Sequence, residues 1–412
     1  MLKRIRTQQL MLGMHLTEFC GSWMEHPFWR SQFVLTDPAD IQRILDSSIQ
    51  EVWIDAGKGL DVPAGQPAVL EAATAETIDA VMEASAEAAR DVERVSVEVE
   101  LARAARICAV SRQAVTAMFK EARLGNAVDT AVARHVVQEI TDSVTRNGEA
   151  LIGLARIKAA DDYTYMHSVA VCALMVALAR RLGLDDGQTR AAGIAGLLHD
   201  LGKAAIPLAV LNKPGKLTDE EFTVIKGHPG QGHAMLLASG DADAVTLDVC
   251  LHHHEKTDGS GYPKGLQGDE ISLFARMGAV CDVYDAITSN RPYKAGWDPA
   301  ESLRKMAGWA EGHFDPKVFQ AFVKSLGIYP IGSLVRLQSG RIGVVMAQSG
   351  GSLLLPRVKV FFSIRKDARI EPALIDLAAP GCTEKITGRE DPAYWRFLDL
   401  NELWSGLSGA PW

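Results

Sequence analysis

The longest uninterrupted apolar run of the 412-residue chain, Val169 to Ala179, covers 11 residues between His167 and Arg180–Arg181. A bilayer takes roughly 20 apolar residues in a helix, so this run is too short to span one. A helix that is apolar all round is instead enclosed by other helices. The text around it agrees: from about 160 to 327 it reads as helices near 162–182, 187–200, 219–226, 230–239, 243–254, 271–289, 298–308 and 315–325. Gly183, Pro207, Pro214-Gly215, Gly259 to Pro263 and Pro292 punctuate them. The pattern predicts a helical bundle domain.

The pattern changes on either side. Residues 1–75 read as a small α/β domain: Gln32 to Leu35 is a strand, Asp37-Pro38 opens a helix through Asp46, and Val52 to Asp55 is a second strand ended by Gly57 and Gly59. Val62 to Pro67 is turn-rich and reads as a boundary. The Ala-, Glu- and Arg-rich text that follows predicts a helical connector over 76–130. It is a plain connector, a dimerising coiled coil, or the first helices of the next domain; no strict heptad persists in it. The bundle domain is expected over 131–327. After Ile328, Ser333–Leu337, Arg341–Met346 and Leu353–Phe362 read as strands, with turns at Ser339-Gly340 and Ser349-Gly350-Gly351. They predict a β-rich module over 328–412. The expected fold is therefore multidomain and mainly α, a helical bundle between a small α/β domain and a small β-rich module.

Composition excludes some functions. The 43 basic and 51 acidic residues leave a net charge of −8, against general electrostatic binding of nucleic-acid polymers or anionic membranes. A small anionic substrate is still compatible, because bound cations can supply local positive charge. The six cysteines form no C-x-x-C pair and read as buried reduced thiols, which suits a cytoplasmic location. Lys3, Arg4 and Arg6 precede a short apolar run broken by His15 and Glu18, with no cleavage-site pattern, so no signal peptide is expected.

Histidine placement points to chemistry. Seven of the 11 histidines lie between 167 and 254: His167, His199, His228, His233, His252, His253 and His254. His199-Asp200 closes an apolar helix, at the edge of a core where polar groups need partners or a metal. Candidate ligands are His167, His199, Asp200, His228, two of the three histidines at 252–254, and Asp282. Imidazole and carboxylate without thiolate suit Fe, Mn, Ni, Co or Zn. The set is too large for one six-coordinate ion and fits two divalent ions sharing a carboxylate. Such pairs clamp the attacking and leaving oxygens of a phosphoester displacement.

Longer motifs connect these residues: Tyr163-Thr-Tyr-Met-His167, Leu197-Leu-His199-Asp200-Leu-Gly-Lys203, Leu211 to Thr218, His228, His253-His254-Glu255, Asp258-Gly-Ser-Gly261-Tyr262-Pro263, Asp282-Val-Tyr-Asp285, Arg291-Pro-Tyr-Lys294 and Phe314-Asp-Pro316. In this order they resemble the HD-GYP phosphodiesterases of the HD superfamily, bacterial enzymes that hydrolyse cyclic di-GMP. The N-terminal text, including Gly13-Met14, Trp23, His26-Pro27-Phe28 and Val52 to Asp55, resembles a small domain of unknown function often found ahead of HD-GYP domains. The C-terminal module carries no family match.

The resemblance implies a metal-dependent phosphodiesterase, with 131–327 as its catalytic domain, that opens cyclic di-GMP to pGpG, GMP or both, through a hydroxide bridging two divalent ions, Fe or Mn foremost. It assigns one ion to His167, His199, Asp200 and Asp282. The second takes Asp200, His228, His253 and His254, with Glu255 fixing the register and leaving His252 outside. Three successive helical residues, 100° apart, do not all face one ion. His252 and His233 are left with structural or supporting roles. Lys203 would hold a non-bridging phosphoryl oxygen, and Arg291 and Lys294 would contact phosphate. The simpler reading of Lys203 and Lys294 is a solvated lysine. Gly261, Tyr262 and Pro263 would form a lip for substrate entry or partner docking, or only a tight turn. Some relatives hold a third ion through a glutamate one turn before the first histidine ligand; that position here is Tyr163, and Asp162 is one residue off, so two ions are expected. A homodimer through the connector and protein partners in cyclic di-GMP signalling are also implied. Two alternatives compete: a catalytically silent nucleotide receptor, and a phosphohydrolase for another cyclic dinucleotide or nucleotide. The intact ligand set and Lys203 argue against the receptor.

Overall fold

The computed structural model describes residues 2–20, 32–47, 49–63, 68–70, 95–128, 130–157, 163–213, 215, 217–289, 296–349 and 352–407, with backbone alone at Val69, Leu70, Tyr163 and Glu311. At the N-terminus, strands β1 (Leu2–Arg6), β2 (His15–Cys20), β3 (Phe33–Val34), β4 (Glu51–Asp55) and β5 (Val69–Leu70) form an antiparallel sheet in the order β3-β2-β4-β1-β5. Val52 and Ile54 alternate inward on β4 and pack with Ile5, Leu16, Phe19 and Leu35. Helix α1 (Pro38–Leu45) covers this face through Ile44. It starts where the sequence says: the Asp37 carboxylate accepts from the Ala39 N–H at 2.9 Å, and Pro38 occupies the first turn. Strands β1 and β2 are not among the elements read from the sequence.

The middle of the chain is helical. Helices α2 (Val97–Arg123) and α3 (Thr130–Arg156) pack along each other and share one apolar core with α4 (Tyr163–Arg181) and α5 (Asp186–Leu198). The connector stretch thus packs into that core from Val97 onward; residues 76–94 lie outside the described residues. Buried Glu100 of α2 accepts from Ser143 Oγ at 2.8 Å and from the Arg146 guanidinium at 2.8 and 2.9 Å, tying α2 to α3. Helix α3 breaks at Asn147, whose φ of −164° is extended; its side-chain oxygen caps the restart by accepting from the Glu149 N–H at 3.1 Å.

Helix α4 carries the long apolar run and is enclosed on all sides, as its pattern predicts. Val169, Cys172 and Val176 feed one core; Val171, Leu174, Met175 and Leu178 feed a second. Helices α6 (Asp219–Lys226), α7 (His228–Ser239), α8 (Ala244–His252), α9 (Leu273–Thr288), α10 (Pro299–His313) and α11 (Pro316–Leu326) complete the bundle. Helix α10 runs past its predicted end at 308: Gly308 is carried within it, and buried Trp309 keeps the next turn in the core. Among the described residues no helix is long and apolar enough to cross a membrane.

The C-terminal module is an antiparallel sheet of β6 (Leu334–Leu337), β7 (Arg341–Ser349), β8 (Ser352–Ser363), β9 (Ala368–Asp376) and β10 (Ile386–Arg389), ordered β10-β6-β7-β8-β9. The first three match the predicted strands. The turn at Ser339-Gly340 holds Gly340 at φ 77°, which only glycine adopts freely. Phe361 and Trp404 enter the core of α2–α5. Both ends of the chain reach α10. Asp298, which caps α10, accepts from the Leu334 N–H at 2.9 Å. On the N-terminal side, Lys305 pairs with Glu18, and Arg4 donates to the Gly308 carbonyl.

Candidate metal centre

Helix ends and two helix interiors deliver the polar residues to one point. His167 lies in the second turn of α4, and His199 and Asp200 follow the last residue of α5. A 3₁₀ turn, Leu201–Ala205, then passes against the start of α7, where His228 is the first residue. This approach requires Gly202: a Cβ there would stand 1.9 Å from the His228 carbonyl oxygen and 2.5 Å from the Gly232 nitrogen. His253 and His254 follow α8, and Asp282 is inside α9. All are buried except His254, which is half-buried.

The ligand atoms form three overlapping groups: His167, His199 and Asp282; His228, His253 and His254; and His199, Asp200 and His253. Within each group they lie within 4.8 Å of one another. Asp200 stands between the two outer groups. Its Oδ2 is 3.4 Å from the Nε2 atoms of both His167 and His199. Its Oδ1 is 3.2 Å from His228 Nε2 and 3.8 Å from His253 Nε2. Asp282 Oδ1 is 2.9 Å from His167 Nε2, and Asp282 Oδ2 is 3.7 Å from His254 Nδ1.

The far sides of the rings fix their roles. Nδ1–H donates to the Gly196 carbonyl at 2.7 Å in His199, to Ile225 at 2.7 Å in His228, and to Val249 at 3.0 Å in His253. His167 Nδ1–H donates to the Asp285 carboxylate at 2.6 Å. In all four, Nε2 is the ring atom turned to the centre, and the partner of Nδ1 sets the tautomer that leaves a lone pair there. His199 Nε2, Asp200 Oδ1 and His254 Nε2 are buried without a hydrogen-bond partner. Burial of such atoms is costly unless something else binds them, so the donor set fits a cation.

Electrostatics agree. Burial pushes His253 down to about 3, helped by the neighbouring imidazoles of His199 and His228. Burial and His253 hold His254 well below its usual value. Both rings are therefore neutral and able to ligate. Burial alone would raise Asp200 and Asp282. Lys203 and His199 overcome it at Asp200, and His167 at Asp282, so both stay well below the carboxylate range as anions.

Other expected residues are placed as follows. Lys203 Nζ is 2.5 Å from Asp200 Oδ2, so its charge sits directly at the cluster. His252 turns away, with Nδ1 at 2.8 Å from Asp248 Oδ1; His253 and His254 are the two of the three that face inward. His233 is half-buried on α7. Gly261, Tyr262 and Pro263 border the cluster: the Tyr262 ring stacks on His254 at 4.7 Å, and its N–H donates to the His254 carbonyl at 3.1 Å. Glu255 anchors this loop by accepting from the N–H groups of Lys264 at 2.7 Å and Leu266 at 3.1 Å. Arg291, Lys294 and Asp162 lie outside the described residues, and Tyr163 is described by its backbone alone. Sequence reasoning missed Asp285 as a partner of the site; its signal was the three-residue spacing from Asp282, which puts both on one helix face.

A helical bundle that closes a His-Asp doublet into a ring of imidazoles and carboxylates defines an HD-domain protein. Comparison with known proteins agrees: residues 142–318 match the family model described as HD domain, and residues 2–133 match that of a domain of unknown function, DUF3391. The chain is 55% identical to the cyclic di-GMP phosphodiesterase PA4108 of Pseudomonas aeruginosa over 99% of this chain and 97% of that one. It is 44% identical to the cyclic di-GMP phosphodiesterase response regulator RpfG of Xanthomonas campestris pv. campestris, over 36% of this chain and 39% of that one. It is also 34% identical to 3′3′-cGAMP-specific phosphodiesterase 3 of Vibrio cholerae, over 42% of this chain and 38% of that one. On the full-length match, the chain belongs to the HD-domain cyclic di-GMP phosphodiesterase family.

Proposed function

We propose that this chain hydrolyses cyclic di-GMP to pGpG, GMP or both at a site for two divalent cations. One observation carries the two-cation reading: Asp200 turns one oxygen to His167 and His199 and the other to His228 and His253. A carboxylate so placed suits a bridge. Asp282, His167 and His199 would complete one coordination sphere, and His228, His253 and His254 the other. Such a cation pair, Fe or Mn foremost, supplies charge neutralisation at phosphorus and acidifies a water.

The chain's own residues do the rest. The backbone acceptors and Asp285 hold the imidazoles in one orientation, with Nε2 turned to the centre. Lys203 keeps an ammonium beside Asp200, close enough to take a non-bridging oxygen of the phosphate. Arg291 and Lys294 would bind phosphate, and the loop with Gly261, Tyr262 and Pro263 would line the entry and offer a surface to protein partners. Two ions are expected, because the residue one helical turn before His167 is Tyr163 and not a carboxylate. The reading expects work in the cytoplasm, where the six thiols stay reduced. A homodimer would use the outer face of α2, where Val99 and Val110 are exposed three turns apart.

A relative specific for 3′3′-cGAMP matches 42% of the chain, but the full-length match favours cyclic di-GMP. The test is turnover by the metal-loaded chain of cyclic di-GMP, 3′3′-cGAMP and a nucleotide monophosphate ester side by side. Cyclic di-GMP should be cleaved fastest, and the Asp200→Ala protein should be inactive. Faster cleavage of 3′3′-cGAMP, or wild-type turnover by Asp200→Ala, would overturn the reading.

A further inference from the structure

A cavity beside the metal cluster is lined by Phe222 and Tyr262 together with His253, His254, Glu255 and Asp282. Tyr262 already stacks on His254, whereas Phe222 has no ring partner among the described residues. Phe222 and Lys226 stand four residues apart on α6, on one face. Lys226 Nζ lies 4.7 Å from the Phe222 ring centre and 5.4 Å from that of Tyr262. Among the described residues no carboxylate pairs with Lys226. A half-buried aromatic face beside a cation held by rings, at the lip of a phosphodiester site, has the chemistry of a base-binding ledge.

We infer that Phe222 and Lys226 form a guanine subsite, with one base of the cyclic dinucleotide lying on the Phe222 ring and its O6/N7 edge turned to the Lys226 ammonium. The inference rests on the proposed cyclic di-GMP reaction. The O6/N7 edge of guanine presents two acceptors to a cation, whereas adenine offers N7 beside an amino donor. Lys226 would therefore select guanine, and Phe222 would bind the base by stacking. Nothing in this assignment alters the metal ligands, though α6 ends two residues before His228.

The experiment is steady-state kinetics of the metal-loaded full chain on cyclic di-GMP, with equilibrium binding of cyclic di-GMP and cyclic di-AMP and metal content measured on the same proteins. Phe222→Ala should raise KM and Kd for cyclic di-GMP about tenfold, with kcat within about twofold and metal content unchanged. Phe222→Trp should restore both constants. Lys226→Met should lower the preference for cyclic di-GMP over cyclic di-AMP about tenfold. Unchanged KM and Kd in Phe222→Ala, or a fall in kcat and metal content with them, would overturn the stacking role. Equal loss of both dinucleotides in Lys226→Met would assign the cation to phosphate and overturn the guanine role. Failure of the wild-type chain to turn over cyclic di-GMP would sink the proposed function by itself, while the binding arm would still decide the ledge.

Discussion

Asp285 shows how much of the site depends on a residue that contacts no cation. Its carboxylate takes the Nδ1–H of His167 at 2.6 Å and lies near the Ser289 hydroxyl at 3.3 Å, in a fully enclosed position. Removing such a partner typically costs 10–100-fold in metal affinity or activity. Asp285→Ala should lose about that much affinity in competition with a chelating indicator, and Asp285→Asn, which keeps an acceptor, should recover part of it. Equal affinity in all three proteins would contradict the orienting role. The ligand types were legible in the sequence because seven histidines crowd one stretch. Their register came only with the family resemblance, through Glu255: His252, His253 and His254 are chemically identical, and in the structure the end of α8 turns His252 to Asp248 while the next two face inward.

At the scale of elements, Gly202 is the tightest point. The turn after Asp200 touches the backbone of α7 at a place where no Cβ fits. Gly202→Ala must push His228 outward, since the obstructing atoms are backbone and cannot rotate away. Metal content should fall by half or more while the helical content, read by circular dichroism, is kept. Full metal content in that variant would contradict the packing account. The sequence showed this glycine only as a letter of a motif, because the partner that requires it is 26 residues away.

Asp298 makes a second prediction at this scale. Burial pushes its carboxyl up to about 6 from the ordinary 3.8, although the N–H groups of Leu334, Glu301 and Ala300 hold it down. The native state thus keeps the proton more tightly than the unfolded chain. The stability this contributes is full below about 3.8, falls as pH rises towards about 6, and stays lost above that. The fall is at most about 3 kcal/mol. Urea unfolding of wild type minus Asp298→Asn should show this slope between pH 4 and 6, and a flat difference would contradict it. Helices with strong periodicity, such as α4, were plain in the sequence. Strands β1 and β2 were not, because Lys3, Arg4 and Arg6 interrupt the alternation and only the partner strand β4 makes Ile5, Leu16 and Phe19 inward residues.

At the scale of the whole molecule, the C-terminal module completes the helical core, while the N-terminal sheet keeps a core of its own. Trp404 is buried against Gly153 of α3, where a Cβ would stand 2.9 Å from its ring. Trp404→Ala should cost about 3–5 kcal/mol in urea unfolding, because the cavity opens in a core shared by α3 and the C-terminal module. An unchanged midpoint would mean that the module is a separate unit. The change of pattern at 328 was visible in the sequence, but periodicity gives a face and not its partner, so the sharing of a core was not legible. Helix α10 contacts both modules, and its Gly312 carbonyl accepts from the Asp258 N–H of the loop beside the histidine cluster at 2.8 Å.

The central claim is that seven residues from five helices and their ends hold two cations joined by Asp200. Its most direct measurement is a titration of metal-free protein with Mn²⁺, following cyclic di-GMP cleavage against equivalents added. Activity should rise to a plateau at two equivalents per chain, and Asp200→Ala should show none at any ratio. A plateau at one or three equivalents, or cleavage by Asp200→Ala, would contradict the two-cation account.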